Sequence, residues 1–343
     1  MSELKVFDAF SGIGGFRRGL ETSETHAKKF RFVASTDSDP TCRSVYQKLF
    51  SNHKEKIFED INHVHTSENP TKNFAPDFDL FLAGFPCQPF ANIGHRRGFD
   101  DERGILIFQI CNLLKYYQPK YFILENVQKM RNLGKGDTLA KVEKMLKDAG
   151  YSLCIWDLCA SDYGVPQQRR RLIFCGVKDT KAQILDLATP KKVQMSDRRY
   201  PSTWHLLEKQ MPEEHLIPTK TAETVFRSNP KWQGDLKINR LVARPLTATM
   251  AKWHRANQDN YFCEDFVFSK SFEEAAACAT EPNSRSVRRI SLLEGLRLQG
   301  FDDTAYNVFK ETRLRPTPGF RLIGNAIPVS LVKCVAEEFF SAV

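Results

Sequence analysis

Short apolar runs alternate with helix-like segments over residues 4–177. The runs are bounded by glycine, proline or acidic residues, as is typical of buried strands, and apolar residues recur between them at helical spacing. We predict strands at residues 5–10, 30–35, 79–84, 120–125, 151–158 and 171–177, a further strand before Asp60, and helices at 40–50, 105–117 and 138–149. This alternation predicts an α/β fold with a Rossmann-like, mostly parallel sheet and helices on both faces.

The remainder of the chain contains one segment without regular periodicity and two segments with helical periodicity. From 179 to 285 the periodicity fades, prolines recur, and three of the four tryptophans occur, namely Trp204, Trp232 and Trp253. Regular helical spacing returns at 290–299 and 328–340. We therefore expect a smaller, loop-rich domain at 179–285 and a larger α/β domain built from 1–178 and 286–343.

Composition and charge indicate the kind of partner and the cellular location to expect for the protein. The net charge of +9 is spread along the chain, which favours a folded basic face and fits a polyanionic partner. No apolar stretch approaches the ~20 residues that span a bilayer, and the N-terminus lacks a signal-peptide pattern. We expect a cytoplasmic protein, or a nuclear one in a eukaryote. The nine cysteines include no C-x-x-C pair, which argues against a metal site and favours small buried thiols.

A glycine cluster, Phe10-Ser11-Gly12-Ile13-Gly14-Gly15, follows the first predicted strand. Small residues there let the backbone turn tightly and let a ligand approach the next helix. Asp37 and Ser38 end the second strand, where a carboxylate can accept hydrogen bonds from ribose, and Asp60-Ile61 follows the third, where an adenine edge could bind. By itself this segment fits a nicotinamide enzyme, an S-adenosylmethionine enzyme or plain structure. The dinucleotide pattern is not met, because its third glycine would fall at Arg17.

The fourth predicted strand ends in a turn that contains a cysteine, in Gly84-Phe85-Pro86-Cys87-Gln88-Pro89-Phe90. Two prolines stiffen this turn and place Cys87 at the carboxyl end of the strand. Turns at this edge of a parallel sheet face the ligand crevice. A reactive thiol is therefore favoured at Cys87 over a buried structural one.

Two further polar motifs come next. Glu125, in Glu125-Asn126-Val127, ends an apolar strand, and partial burial would let it donate a proton near neutral pH; a capping or surface role is the alternative. In Gln167-Gln168-Arg169-Arg170-Arg171, alternation along a strand puts Arg169 and Arg171 on one face. These two guanidinium groups could favour a thiolate or hold an anion, unless the run is a solvated basic surface.

Taken together and in order, these motifs resemble those of the DNA (cytosine-5) methyltransferase family. The resemblance covers nearly the whole chain and includes Leu296-Arg297-Leu298-Gln299-Gly300-Phe301 and Ile323-Gly324-Asn325-Ala326. It implies an S-adenosylmethionine-dependent enzyme of restriction-modification type that acts on double-stranded DNA, with 179–285 as its target-recognition domain. The cofactor contacts that it implies, besides the glycine loop, are Asp37, Ser38, Asp60, Ile61, Phe85, Pro86, Leu106, Asn325 and Ala326.

The family's chemistry implies roles for the catalytic candidates. Cys87 would add to C6 of cytosine, so that C5 can attack the methyl sulfonium, while Glu125 stabilises N3 and Arg171 and Arg169 hold O2 or the neighbouring backbone. The target base would be flipped out of the duplex, and residues 88–104 suit a basic loop that closes over DNA. No residue is assigned as the base that removes the C5 proton. We expect a monomer, with any cognate restriction endonuclease acting separately.

The chain departs from the family's pattern at a few positions. Ala91 and Ala326 stand where serine is usual, and the run from Ile290 to Glu294 is looser than the usual Leu-Thr-Pro-Arg-Glu. These departures affect fine DNA and cofactor contacts rather than the reaction. In the loop-rich domain, segments 231–232, 244–249 and 252–255 are candidate DNA contacts: each contains a basic residue, and the first and third also contain a tryptophan. These side chains either contact DNA or pin the loops together.

Other functions explain these motifs less completely. A related methyltransferase acting on transfer RNA usually carries a Cys-Phe-Thr tripeptide, which is absent here. A catalytically inactive DNA-binding relative would be signalled by loss of Cys87 or Glu125, and both are present. A zinc deaminase would need H-x-E and P-C-x-x-C, and a nicotinamide oxidoreductase would leave the cysteine, glutamate and arginine motifs unexplained.

Overall fold

The computed structural model describes residues 2–25, 28–51, 54–86, 105–178, 187–227, 235–280 and 286–343. The chain forms two compact units. The first comprises Met1–Leu158, Arg170–Lys191 and Leu331–Val343, and the second comprises Cys159–Arg169 and Lys192–Ser330. These units reflect compactness alone, so the functional division that assigns target recognition to 179–285 stays a prediction.

The first unit is built on a seven-stranded sheet. Its strands are β1 (Ser2–Ala9), β2 (Lys28–Thr36), β3 (Lys56–Phe58), β4 (Leu80–Gly84), β5 (Tyr121–Val127), β6 (Tyr151–Cys159) and β7 (Arg170–Lys178). They are ordered β3-β2-β1-β4-β5-β7-β6, with β1 to β5 parallel and β7 antiparallel to β5. The predicted strands and the mostly parallel α/β sheet are therefore confirmed.

Four helices of this unit follow the strands: α1 (Gly15–Glu21), α2 (Pro40–Leu49), α3 (Ile105–Tyr117) and α4 (Asp137–Asp148). Local sequence explains two of their ends. Asp39 caps α2 by accepting a hydrogen bond from the Thr41 N–H at 2.8 Å. Gly150, with φ of +93°, follows α4 in the left-handed conformation that favours glycine. The central strands are mostly apolar because parallel strands are covered on both faces.

The strand order places the candidate site. From β1 the chain moves outward to β2 and β3, then crosses to β4 and β5 on the other side. The strand order therefore reverses between β1 and β4, and sheets of this kind bind ligands at the carboxyl ends of the strands at such a point. Because β7 is antiparallel, its first residues lie at the edge where β1 to β5 end.

The second unit has shorter elements. They are α5 (Thr203–Leu206), α6 (Thr219–Phe226), β8 (Tyr261–Cys263), α7 (Glu264–Phe268), α8 (Phe272–Ala277), β9 (Val287–Arg289), α9 (Leu292–Leu298), α10 (Thr304–Glu311) and α11 (Pro316–Asn325). Strands β8 and β9 pair antiparallel. The last helix, α12 (Val329–Ala342), belongs to the first unit from Leu331 onward. The helix predicted at 290–299 begins later because Ser291 is its cap, where it forms a capping box with Glu294.

One finding corrects the expectation about apolar length. The helical segment Pro316–Ala342 is long and apolar enough to cross a membrane, judged by length and composition alone. However, 78% of its most apolar window is buried inside the protein. Burial against other side chains therefore accounts for its apolar residues, as in the core helix of a globular domain.

Candidate active site

The loop after β1 is shaped by residues with left-handed backbone. Phe10, Gly12 and Gly14 have φ of 54°, 54° and 81°. A Cβ at Gly14 would lie 2.3 Å from a ring carbon of Phe50, whereas a Cβ at Gly12 would meet nothing within 4 Å. Gly14 is therefore required by packing. At Gly12 the backbone borders open space that a ligand could enter.

Asp37 ties this loop to the end of β2. Its Oδ2 accepts a hydrogen bond from the Gly12 N–H at 2.8 Å, and its Oδ1 accepts one from the Asp39 N–H at 2.9 Å. Burial raises the pKa of the Asp37 carboxyl, although both amide hydrogen bonds oppose the rise. The Cys42 side chain is a third hydrogen-bond partner of this carboxyl. A carboxylate can accept about four hydrogen bonds, so Asp37 could still accept one from a ribose hydroxyl.

The other predicted cofactor residues of the first unit follow the neighbouring strands or begin the adjoining helices. Asp60 accepts a hydrogen bond from the Asn62 N–H at 2.8 Å and so caps a short 3₁₀ turn. The remaining ones divide by exposure: Ser11, Ile13, Gly15, Ile61 and Phe85 are buried, Leu106 is half-buried against the core, and Ser38 and Pro86 are exposed. The sheet thus brings the ends of β1, β2 and β3 side by side, as the predicted site requires.

Two buried charged residues of the first unit were missed by the sequence reasoning. Asp8 in β1 is fully buried, and neither of its carboxyl oxygens has a hydrogen-bond partner among the described residues. Burial, reinforced by Glu55, raises the pKa of Asp8 well above its ordinary value. Arg17 is equally buried and donates to Glu21, to the Tyr46 hydroxyl and to Glu55. The available signal was an acidic residue within the apolar second half of the strand, Val6-Phe7-Asp8-Ala9.

Glu125 and Arg171 meet at the next part of the same edge. In the sheet register, Glu125 lies beside Gly84 of β4 and beside Ile173 of β7. Its Oε1 forms an ion pair with Nε of Arg171, and the two side chains are only 13% and 10% exposed. A Cβ at Gly84 would lie 3.3 Å from Oε2 of Glu125, so glycine keeps the space beside the carboxylate clear. Glu125 is thus not a surface glutamate.

Asn126 holds the backbone that leads into Cys87. Its side-chain amide donates to the Phe85 carbonyl at 2.9 Å and accepts from the Val127 N–H at 2.8 Å. This buried amide fixes the end of β4 to the end of β5. The sequence reasoning gave Asn126 no role, although it directly follows Glu125. Cys87 itself, and the loop predicted at 88–104 with Ala91, lie outside the described residues.

Arg169 has different surroundings from Arg171. It is 2% exposed within the second unit, where it donates to the carbonyls of Leu246, Gly324 and Ala326 at 2.8 to 2.9 Å. The predicted alternation fits, because Arg170 is exposed. These contacts hold the end of α11, which carries the predicted cofactor residues Asn325 and Ala326.

Two glutamines extend this arrangement. The Gln167 side chain donates to the Leu298 carbonyl and accepts from the Leu246 N–H, at 2.8 and 2.9 Å. Gln299 donates to the Ile323 carbonyl at 2.7 Å. We call Gln167, Arg169 and Gln299 the carbonyl clamp. These three residues belong to sequence motifs of the family, but their spacing along the chain does not indicate which carbonyl groups they bind.

The second unit also holds a buried ion pair that sequence reasoning missed. Arg288 and Glu294 are 1% and 0% exposed and share two hydrogen bonds of 2.7 and 2.8 Å. Glu294 also accepts from the backbone N–H of Ser291 and Glu208. The spacing of Ser291 and Glu294 is the sequence signature of a capping box and could have revealed part of this network.

The candidate DNA contacts divide by exposure. Arg244 is buried and donates to the Lys237 and Asp235 carbonyls. It therefore pins the loops together, which was the alternative to contact with DNA. Trp253 lies against Arg289, whose guanidinium carbon is 4.2 Å from the ring centroid. Lys252 is exposed. Segment 231–232 lies outside the described residues.

Comparison with known proteins identifies relatives along the whole chain. Residues 4–341 match the family of C-5 cytosine-specific DNA methylases. The chain is 32% identical over 339 residues to the Type II methyltransferase M.NgoBI of Neisseria gonorrhoeae, covering 97% of this chain and 92% of that protein. It is 30% identical to M.HaeII of Haemophilus aegyptius, covering 100% and 94%.

A solved structure shares the fold. The Entamoeba histolytica methyltransferase EhMeth superposes with a TM-score of 0.72 at 17% sequence identity, covering 99% of each chain. At this identity the likeness concerns architecture. It agrees with the α/β sheet derived from the strand pattern.

Proposed function

The chain belongs to the C-5 cytosine-specific DNA methylase family and is a DNA (cytosine-5-)-methyltransferase, and on that premise we propose how it acts. It transfers a methyl group from S-adenosylmethionine to carbon 5 of a flipped-out cytosine in a specific duplex DNA sequence. The reaction passes through a covalent bond between Cys87 and cytosine C6. The relatives named as Type II methyltransferases support a restriction-modification setting.

The residues at the ends of β1, β2 and β3 fit the cofactor on which the family depends. When bound, S-adenosylmethionine supplies an electrophilic methyl group on a sulfonium. The open side of Gly12 would admit the ligand, and Asp37 would accept hydrogen bonds from its ribose. The unpartnered carboxyl of Asp8 lies in the strand that leads into this loop, and a polar ligand atom or a bound water would satisfy it.

Cys87 and the Glu125–Arg171 pair would activate the cytosine. As a thiolate, Cys87 would form a bond to C6 and move electron density to C5. C5 would then bond to the methyl carbon while the bond from that carbon to the cofactor sulfur breaks, which releases S-adenosylhomocysteine. Glu125 hydrogen-bonds the N3 edge where negative charge develops, and Arg171 turns its remaining donors to O2. Loss of the C5 proton then re-forms the ring double bond as the Cys87 sulfur leaves C6. No described residue is assigned to that proton.

One observation carries this proposal. The ion pair of Glu125 and Arg171 lies at the sheet edge where β4 ends, and Asn126 of the same strand holds the backbone at Phe85, two residues before Cys87. The carboxylate and the guanidinium group are therefore in place at this edge, and we propose that the thiol of Cys87 joins them there. Arg169 is instead proposed to position α11, because its guanidinium is engaged by backbone carbonyls.

Expression in a host that lacks cytosine-5 methylation, followed by bisulfite sequencing, tests both the activity and its sequence specificity. We expect new 5-methylcytosine at one recurring sequence. Cys87→Ser is expected to remove it nearly completely while S-adenosylmethionine binding, measured by calorimetry, survives. Equal loss of methylation and binding would assign Cys87 a structural role, and absence of any new 5-methylcytosine would contradict the proposal.

The remaining alternatives can be separated in the same preparation. Transfer of tritium from labelled cofactor to duplex DNA, but not to a transfer RNA pool, is expected. Labelling of the RNA pool alone would favour a transfer RNA enzyme, and absence of both labelling and cofactor binding would favour an inactive DNA-binding relative. A monomeric state, a cytoplasmic location and a separately acting restriction endonuclease stay predictions.

A further inference from the structure

A cavity in the second unit is not used by the methyl-transfer chemistry. Its volume is about 310 Å³, and its lining comes from residues 208–215, 289–292 and 306–320. This volume falls at the lower end of the roughly 300–1,000 Å³ typical of small-ligand sites. The chemistry of the lining decides what could occupy it.

Arg289 supplies a fixed donor to this lining. It is 8% exposed, its Nη1 donates to the Ala251 carbonyl at 3.0 Å, and its guanidinium lies over the Trp253 ring. Its Nε has no hydrogen-bond partner among the described residues. A buried donor without an acceptor is destabilising. Arg289 belongs to the cavity lining, so its guanidinium group is the cationic donor available there to an acceptor atom of a ligand.

Two carboxylates lie in the same lining. Glu208 is held in place, because its Oε2 accepts from the Ser291 hydroxyl at 2.5 Å and its Oε1 accepts from the Gln210 amide at 3.0 Å. Glu214 is exposed and belongs to the 3₁₀ turn Glu213–His215. Burial lowers the pKa of His215, which favours its neutral form. The formal charge of the lining is therefore more negative than positive.

This charge balance disfavours a phosphate or carboxylate ligand and favours a neutral one. The ligand needs N–H donors for the carboxylates and an acceptor for Arg289. Phe320 and Tyr306, with leucine and proline side chains beside them, offer apolar and aromatic surface to a flat ring. Guanine combines an amino group with the O6 and N7 acceptors to which arginine commonly donates.

We propose that this cavity binds a guanine ring, either as a free nucleoside or as an unstacked base of a nucleic acid. The site is distinct in its residues from the one proposed for the target cytosine. The proposal of a guanine site can therefore be tested independently of the methylation chemistry.

Calorimetric titration of the full-length protein with 2′-deoxyguanosine tests the proposal. The protein is first saturated with S-adenosylhomocysteine, so that the cofactor site cannot take the probe. We expect binding of 2′-deoxyguanosine and at least about tenfold weaker binding of thymidine, which lacks an amino group. No binding of 2′-deoxyguanosine, or equal binding of thymidine, would overturn the proposal.

Matched variants locate the binding. Glu214→Gln is expected to weaken 2′-deoxyguanosine binding about tenfold, because a hydrogen bond to a charged acceptor is lost. Glu213→Gln changes the preceding residue of the same turn, which is not part of the lining, and is expected to bind as the wild type does. Leu314→Trp fills the cavity from a half-buried position and is expected to abolish binding. Wild-type affinity in Glu214→Gln would overturn the assignment even where Leu314→Trp fails to fold.

A competition arm separates the two sources of the base. A short single-stranded oligonucleotide that contains guanine is added to the protein with bound 2′-deoxyguanosine. Displacement that is lost in Glu214→Gln indicates a base of a nucleic acid. Retention of the nucleoside indicates a free nucleoside ligand. Both outcomes support a guanine site, whereas displacement by an oligothymidylate of equal length contradicts it.

Discussion

Arg169 and Arg171 are two residues apart, yet they serve the two compact units in different ways. Arg171 is the second residue of β7 in the first unit and forms an ion pair with Glu125 of the neighbouring strand β5. Arg169 lies in the second unit and donates hydrogen bonds to three backbone carbonyls. In the first unit, strand ends bring the functional groups together. The second unit has few strands, and there buried polar side chains fix the backbone through hydrogen bonds.

This comparison predicts where substitutions act. A polar group at the sheet edge of the first unit should affect chemistry more than stability. A buried polar group in the second unit should affect stability first. The pairs of variants below separate these two effects.

Glu125→Gln should have the largest effect on activity. Glutamine keeps the shape of the side chain but cannot exchange a proton with N3, so kcat is expected to fall about 10²–10⁴-fold. Single-turnover methylation measures this, and calorimetry should show unchanged cofactor affinity. Glu143→Gln, which removes a surface pairing with Lys147 on α4, is the control and should stay fully active. Equal losses of kcat in both variants would contradict the proposed role of Glu125.

Arg288→Met should have the largest effect on stability. It leaves the carboxylate of Glu294 buried without its charged partner, which typically costs about 3–5 kcal/mol in the free energy of unfolding. Urea denaturation gives the value. Arg199→Met, which breaks an exposed pairing with Asp303 in the same unit, should cost less than about 1 kcal/mol. Similar losses in the two variants would contradict the importance of burial.

The two arginines can be compared directly by replacing each with lysine. A single ammonium group cannot reach all three carbonyls, so Arg169→Lys is expected to lower the free energy of unfolding by about 1–3 kcal/mol. Arg171→Lys should leave stability nearly unchanged and reduce kcat about 10-fold to 100-fold. Denaturation and initial rates are measured on both proteins. If the two variants behave alike, the distinction between the units is wrong.

Much of the first unit could be predicted from sequence because its information is local. An apolar run followed by glycine, proline or an acid marks a strand and its functional end, so Asp37, Gly84 and Glu125 were placed correctly on the sheet edge. The carbonyl clamp could not be predicted in this way. Gln167 and Gln299 are distant in sequence from most of their backbone partners, and no periodicity encodes such pairings. Asp8 was missed because a single acid does not disturb the pattern of a strand.

A pH-dependent effect on stability is expected from a buried acid of the second unit. Burial raises the pKa of Asp259 to about 7, against about 3.9 in an unfolded chain. The folded state therefore holds a proton that the unfolded state has released, and this group's contribution to stability is lost as the pH rises from about 4 to 7. Asp259→Asn should be relatively more stable than the wild type at pH 8 than at pH 5. A difference that does not change with pH in urea titrations would contradict this.

The attack of Cys87 on cytosine is tested most directly by trapping. A duplex carrying 5-fluorocytosine at the methylated position is incubated with the protein and S-adenosylmethionine, since fluorine at C5 cannot leave as a proton does. The account predicts a covalent protein–DNA complex whose modified peptide, identified by mass spectrometry, contains Cys87, and which is absent in Cys87→Ser. An active preparation that forms no complex, or a complex mapped to another cysteine, would contradict it.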